Sequence, residues 1–481
     1  MAGSSLARIA SLLALIGLAD FARAEDLRSA LAAAYRSNPT LAASRDELKV
    51  ADETVSIARA DGLPSANLSG SATDFLKRNP LVTPNPARSV TVSGGMSVPL
   101  YMGGAVHNAV RAAQVRVEAG RADLGGSEST VFSQVVGAYV DVLLGSETVR
   151  AKLANVKMLR ANLQSAQGRW ELGDVTSTDV AQSQSRLALA EGDWHNSESN
   201  LVAAQEKYVE IVGGPAYDLQ SPPPLPGLPV DVDDAVEMAL NKNPDLAAAR
   251  ARARAAGYDV HVASASRLPK LSLFADGQRD NYLGSLPSTI FGSLANAVTT
   301  ADVGVRATIP LLTGGRPGAQ VRQAHAQEAV AFDQEMRAQR SIIYQVRAAF
   351  AAFVAAKKVI ASTQIALDAA RLGLEGVQAE NSAGSRTILD ILNAEQELVN
   401  AEVQLATARR NAYVAGFTLL AAMGRTQAKD LGLDGGPLFE PDLRDREMRS
   451  ESWNWGQDPM PNHASPDPGD PSYSESSISA N

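Results

Sequence analysis

Covalent and metal chemistry would need nucleophiles, ligand clusters or phosphate-binding loops, and this chain offers few. It has no cysteine, which leaves no thiol for a disulfide, a zinc site, a nucleophile or a lipid anchor. Its five histidines, His107, His195, His261, His325 and His463, are scattered, with no pair at metal-ligand spacing. No His-Glu-x-x-His, Gly-x-x-x-x-Gly-Lys or Gly-x-Ser-x-Gly stretch occurs. The expectation is a protein that is not an enzyme and carries neither cofactor nor metal.

The composition points to architecture instead. Of 481 residues, 45% are hydrophobic but only 5% aromatic, so the apolar content is mostly Ala, Val and Leu. That mix suits long helices packed at close range better than a compact enzyme core. The net charge of −9 gives no basic excess to meet phosphates, which argues against a nucleic-acid partner. Residues 1–24 have one early arginine, an apolar stretch over 9–19 and then Ala22-Arg23-Ala24, the pattern of a secretory signal peptide cut after Ala24. No later segment reads as a membrane-spanning helix, which needs about 20 mostly apolar residues. The exported chain is therefore either soluble or inserted in a membrane by strands.

The chain is written twice. Residues 26–68 resemble 231–273 at an offset of 205, with Asn38-Pro39 matching Asn243-Pro244 and Leu63-Pro64 matching Leu268-Pro269. Further on the offset is 211: Val98-Pro99-Leu100 matches Ile309-Pro310-Leu311, Gly173 matches Gly384, Asp179 matches Asp390, and Gly213 matches Gly424. The repeats span 25–212 and 231–430. Between them the proline-rich stretch 213–230 reads as a stiff connector, and 431–481 reads as a polar, disordered tail.

Each repeat predicts the same order. A helix opens with asparagine as its cap and proline at its first position. Two strands follow, at about 64–75 and 88–100 and again at 269–280 and 300–311. Then come a helix of 67 residues, 105–171 or 316–382, and a return helix, 177–211 or 387–423. At 1.5 Å per residue the long helices reach about 100 Å. In the second, Ile342, Val346, Ala349, Phe353, Ala356, Ile360 and Thr363 recur at alternating steps of four and three, a coiled-coil period. Gly125-Gly126 is expected to mark a local bend in the first.

The strands alternate. Val90, Val92, Gly94, Met96 and Val98 share one parity against Ser89, Thr91, Ser93 and Ser97; Val303, Val305, Ala307 and Ile309 oppose Asp302, Gly304, Arg306 and Thr308. Phe274 alone sits on the wrong parity of its run. Alternating segments of about ten residues suit a transmembrane β-barrel, apolar toward lipid and polar toward a wet lumen. Val90, Val92, Val98, Val303, Val305 and Ile309 are the candidate lipid-facing residues. Four strands cannot close a barrel, and an open edge is not tolerated in lipid. Several copies must pool strands, eight in a dimer or twelve in a trimer. The alternative is a soluble periplasmic coiled-coil scaffold with a small extramembrane sheet.

These features together resemble the TolC-like outer-membrane efflux protein family over roughly residues 26–430. The most specific stretches are 173–186 and 384–398, the latter reading Gly-Ser-Arg-Thr-Ile-Leu-Asp-Ile-Leu-Asn-Ala-Glu-Gln-Glu-Leu. The resemblance implies a mainly α fold: a homotrimer with a twelve-strand barrel in a Gram-negative outer membrane and a helical tunnel in the periplasm. It implies docking onto a periplasmic adaptor and an inner-membrane ABC or RND transporter, and export of proteins by type I secretion or of drugs. The absent cysteine leans toward protein secretion, with multidrug efflux alone as the alternative. At the tip, Arg386 aligns with the family's latching arginine, and Thr178 and Asp179 with its partners. Asp390 aligns with an acidic constriction ring, where Asn393 replaces a second acid and Asn381 replaces a gating tyrosine. Gly173, Asp174, Gly384, Ser385 and Thr387 fall where the family meets its adaptor.

Overall fold

A computed structural model describes residues 25–77, 86–286 and 295–433. The expected signal peptide, and the tail from 434 onward, lie outside them. Repeat one holds α1 (Leu27–Ser37), α2 (Pro39–Ala60), β1 (Ser65–Asp74), β2 (Arg88–Tyr101), α3 (Ala105–Glu171) and α4 (Ser177–Val212). Repeat two holds α5 (Val232–Lys242), α6 (Pro244–Ala265), β3 (Lys270–Asn281), β4 (Ala297–Thr308), α7 (Arg316–Ser382) and α8 (Ile388–Ala422). The short helices α1 and α5 are additions to the order read from sequence. Each is capped by an aspartate, Asp26 or Asp231, and stops at the asparagine that caps the next helix.

That asparagine is a joint used twice. The Asn38 side chain accepts from the Thr40 N–H, capping α2, and its amide donates to the Ile211 carbonyl at the end of α4, each at 2.9 Å. Asn243 caps α6 through the Asp245 and Leu246 N–H groups and donates to the Ala422 carbonyl at the end of α8, at 2.9 Å. The glycine that ends each return helix completes the joint. Gly213 and Gly424 have φ of +85° and +72°. A Cβ on Gly424 would meet the Lys242 carbonyl oxygen at 2.4 Å, so no side chain fits there.

The core repeats the same way. One cluster gathers Ala30, Ala34, Leu41, Val131, Val135, Tyr208 and Val212; the other gathers Ala235, Ala239, Leu246, Ile342, Val346, Leu419 and Met423. These are equivalent positions of the two repeats, and burying them satisfies the apolar face of each helix they belong to. The first cluster also takes in Phe132, Tyr139, Phe417 and Leu433. Residues 431–433, read as the start of the tail, thus belong to the packed fold. Helix α3 runs unbroken through Gly125-Gly126. Those glycines make room for the start of α6: a Cβ on Gly126 would meet the Asp245 carboxylate at 2.7 Å.

The four strands form one antiparallel sheet in chain order, with β1 and β4 at its open edges. Register puts Leu68 opposite Gly94, Val92 opposite Gly70 and Arg279, Val98 opposite Leu273, and Leu273 opposite Val305. Paired residues share a face. One face is therefore apolar across all four strands until Asp74, Arg88, Arg279, Asn281 and Thr299 near one end, and the other carries Ser, Thr, Asn, Gln and Asp. Phe274 does lie on the polar face. It fills the space over Gly304, and the Arg306 guanidinium stacks on its ring at 4.6 Å. Ile309 falls just beyond β4, which ends at Thr308 because its partner strand begins at Lys270.

Helix α7 differs from α3 in cover. Helix α3 buries residues along much of its length, whereas only Val321, Ala324, Ile342, Val346, Leu367 and Leu374 of α7 are buried. Val330, Phe332, Met336, Tyr344, Val359, Ile365 and Leu372 stand exposed. Contrary to the sequence reading, α7 contains a stretch long and apolar enough to cross a membrane by length and composition. It is an uninterrupted part of a 67-residue helix, and little of it is buried within the chain.

Candidate functional site

The two long hairpins, α3–α4 and α7–α8, end in tips of the same construction. Helix α3 stops at Gly173 (φ +81°), with the Gly173 N–H donating to the Trp170 carbonyl and the Asp174 N–H to that of Arg169. Helix α7 stops at Gly384 (φ +78°), with the Gly384 N–H donating to Asn381 and the Ser385 N–H to Glu380. Both are left-handed glycine stops. The return helices start with capping boxes: the Thr176 hydroxyl oxygen accepts from the Asp179 N–H, and the Asp179 carboxylate accepts from the Thr176 N–H at 2.9 Å. Thr387 and Asp390 repeat this at the same distance.

The caps set the local electrostatics. Hydrogen bonds from the Thr176 backbone and hydroxyl hold the Asp179 carboxyl below the usual carboxylate range, and Thr387 does the same for Asp390. Both acids are therefore ionised at neutral pH. Arg386 lies in the second tip, exposed, and its Nε donates to the Glu380 carboxylate at 2.7 Å. That bond and the charge of Glu380 push its already high pKa further up. Asn381 donates to the Arg386 carbonyl at 2.7 Å, and the Ser385 hydroxyl donates to the Glu380 carbonyl at 2.9 Å.

Within one chain, Arg386 thus pairs with Glu380 of its own hairpin, while Thr178 is exposed on the other hairpin. Gly173, Asp174, Gly384, Ser385 and Thr387 are all exposed at the tips. Beside them stand Trp170, at the end of α3, and Leu172, 52% and 80% exposed. Asn393 is engaged from the other hairpin: the Arg186 guanidinium donates to its side-chain oxygen at 2.9 Å.

Sequence reasoning passed over Glu380, Arg186, Asn162 and Glu395. The first was legible in principle, six residues from Arg386 across a glycine turn. Glu395 stands three residues after Leu392 and four before Val399, on the buried stripe of α8, so the period marked it as an acid in a core position. Higher up, Arg410 of α8 grips Asp141 of α3 with two hydrogen bonds, of 2.7 and 3.1 Å. His195 and His325 pair with Glu198 and Glu328 on their own helices.

Comparison with known proteins picks out the same two repeats. The family described as "Outer membrane efflux protein" matches residues 30–214 and 235–425, one match to each repeat. Outer membrane efflux protein BepC of Brucella suis is 31% identical over 412 residues, covering 86% of this chain and 88% of the relative. Alkaline protease secretion protein AprF of Pseudomonas aeruginosa is 28% identical over 308 residues, 62% of each chain. The solved CmeC outer membrane channel of Campylobacter jejuni superposes with a TM-score of 0.72, at 17% identity and 89% coverage of both chains.

Proposed function

The chain belongs to the outer membrane efflux protein family and is an outer-membrane exit channel; from that premise we propose how its copies assemble and how its entrance is held. Three copies pool their strands into a twelve-strand barrel, and their hairpins form a periplasmic tunnel. The observation that carries this is the sheet: one apolar face across four strands, with unpaired edges at β1 and β4. Unpaired strand edges do not persist in hydrocarbon, so β4 of one copy must meet β1 of the next. The exposed apolar residues of α7 supply a second contact between copies. The soluble scaffold falls with the family assignment.

Arg386 latches the entrance in the trimer by exchanging Glu380 for Asp179 and Thr178 across neighbouring hairpins, a charge-assisted contact. Three Asp390 carboxylates, with Asn393 one turn further along α8, ring the constriction and favour cations. Gly173, Asp174, Gly384, Ser385 and Thr387 meet a periplasmic adaptor, which joins the channel to an inner-membrane ABC or RND transporter. Val90, Val92, Val98, Val303, Val305 and Ile309 face lipid. The cargo is protein, in line with a relative named for alkaline protease secretion. A second reading, small-molecule efflux, is favoured by the relative named an efflux protein that covers more of the chain.

Single-channel conductance of the detergent-purified protein in a planar bilayer tests the assembly. Discrete, cation-preferring openings are expected. Silence from folded trimers, in the wild type and in Arg386→Ala alike, would overturn it.

A further inference from the structure

Glu25, the residue just after the expected leader cut, is tied down from three sides. Its carbonyl oxygen accepts from the Gln220 N–H of the proline-rich connector at 3.1 Å. The Tyr139 hydroxyl of α3 stands 2.9 Å from the same oxygen and 2.7 Å from the Gln220 carbonyl oxygen, so its one proton is shared between them. The Glu25 carboxyl turns toward the hydroxyl of Tyr208 on α4. Among the described residues that hydroxyl has no aligned hydrogen bond of its own. Both tyrosines are 0% exposed. One residue on, Asp26 caps α1, whose buried Leu27, Ala30, Leu31 and Ala34 pack into the first core cluster.

Repeat two lacks every side chain of this arrangement. Glu25 corresponds to Val230, Tyr139 to Phe350 and Tyr208 to Leu419. Val230 is 97% exposed, whereas Phe350 and Leu419 pack into the second core cluster. Two buried hydroxyls cost desolvation that the second repeat avoids, so packing of the helices does not call for them. Both repeats keep the aspartate cap, Asp26 and Asp231. The difference therefore lies in the residue before the cap, and in what must hold it.

The Glu25 carboxyl is also short of a counter-charge. It is half-buried. Burial raises its pKa, the Tyr208 hydroxyl opposes this, and the charge of Asp26 adds to the rise. An acid in such a place is stabilised by a cation. Position 25 can supply one without another side chain. Hydrolysis of the Ala24–Glu25 peptide bond adds water across it: the oxygen leaves on Ala24 as a carboxylate, and the Glu25 nitrogen becomes an ammonium. That ammonium is on the same residue as the carboxylate, within the roughly 4–6 Å over which opposite charges stabilise each other.

We propose that Tyr139, Tyr208 and Gln220 form a socket for the processed N-terminus, which a leader peptidase creates by freeing the amino group of Glu25. Seated there, the ammonium is the counter-ion of its own carboxylate, and one residue pins α1 to the connector, to α3 and to α4. The second repeat has no chain end to hold and keeps apolar residues instead. The inference rests on cleavage after Ala24 and not on the exit-channel reading.

The full-length chain is expressed with its leader, and the assembled protein is purified from the outer membrane. Sequencing from the amino end is expected to read Glu25 first; protein that begins at another residue would overturn the proposal. The α-amine is then probed with cyanate near neutral pH, where its low pKa lets it react ahead of lysine. The modified N-terminal peptide is quantified by mass spectrometry. Carbamylation is expected to be at least tenfold slower in the native protein than in guanidinium-unfolded chains. Inserting Gly-Ser between Ala24 and Glu25 carries the amine beyond the socket, and its rate should come within threefold of the unfolded chain. Glu25→Gln, which removes the counter-charge, should raise the native rate at least threefold. Tyr208→Phe, which removes only a hydroxyl, should do the same and serves if the first variant does not assemble. A native amine that reacts as fast as the unfolded one would overturn the proposal. So would a shielded amine that neither the insertion nor Tyr208→Phe exposes.

Discussion

Each conspicuous side chain at the tips has work within its own hairpin. Asp179 and Asp390 cap the helices they begin, and Arg386 holds Glu380. An intraprotomer pair between exposed side chains is weak, so exchange for a partner on another hairpin is cheap. Two substitutions separate the roles. Arg386→Ala removes the latch and should raise vancomycin uptake by intact cells several-fold. Glu380→Gln releases the guanidinium for the neighbouring hairpin and should lower single-channel open probability. Unchanged uptake in Arg386→Ala, at normal trimer levels, would refute the latch.

Among the elements, the Asn-Pro joint ties the same pieces together in both repeats. It starts α2 or α6 and, with the same side chain, closes the end of α4 or α8. Asn38→Ala would lose a helix cap and leave the Ile211 carbonyl without its buried partner. The two losses together amount to about 2 kcal/mol or more. Asn243→Ala should cost a similar amount, because the second joint has the same bonds. Urea unfolding of the detergent-solubilised protein reads both as lowered midpoints. A midpoint unmoved in either variant would mean that the joint is not what ties the return helix to the next one. The long helices themselves follow from simpler causes: no proline inside, glycine at the stop, and a seam period of 3.5.

At the scale of the molecule, the sheet's two faces decide where the protein lives. Val92 and Val305 lie on the apolar face, 45% and 60% exposed in a single chain, and Ser71 lies on the polar one. On the lipid-facing reading proposed above, Val92→Lys or Val305→Lys would place a charge toward lipid, costing up to about 2–4 kcal/mol at the bilayer midplane and less toward either interface. Either should sharply reduce trimers recovered from the outer membrane, while Ser71→Lys assembles normally. Normal assembly of both valine variants would show that this face does not meet lipid.

Much of this was legible in the linear chain. The duplicated order of elements and the mainly α fold with its strands follow from signals carried by neighbouring residues, while the exit-channel function follows from the family resemblance that those signals carry. Apolar period, strand parity and Asn-Pro starts are local, and the repeat doubles each of them. What the chain alone left undecided is which distant groups meet. Asn162 and Glu395 are 233 residues apart, Arg186 and Asn393 are 207 apart, and no local pattern pairs them. What packs on Gly125-Gly126, the start of α6 with Asp245, comes from the other repeat and is not visible in the local sequence. Phe274 read as an error of parity because Gly304 and Arg306, which accommodate it, lie on the next strand. Periodicity specifies which face of an element is buried; only packing in three dimensions selects what that face is buried against.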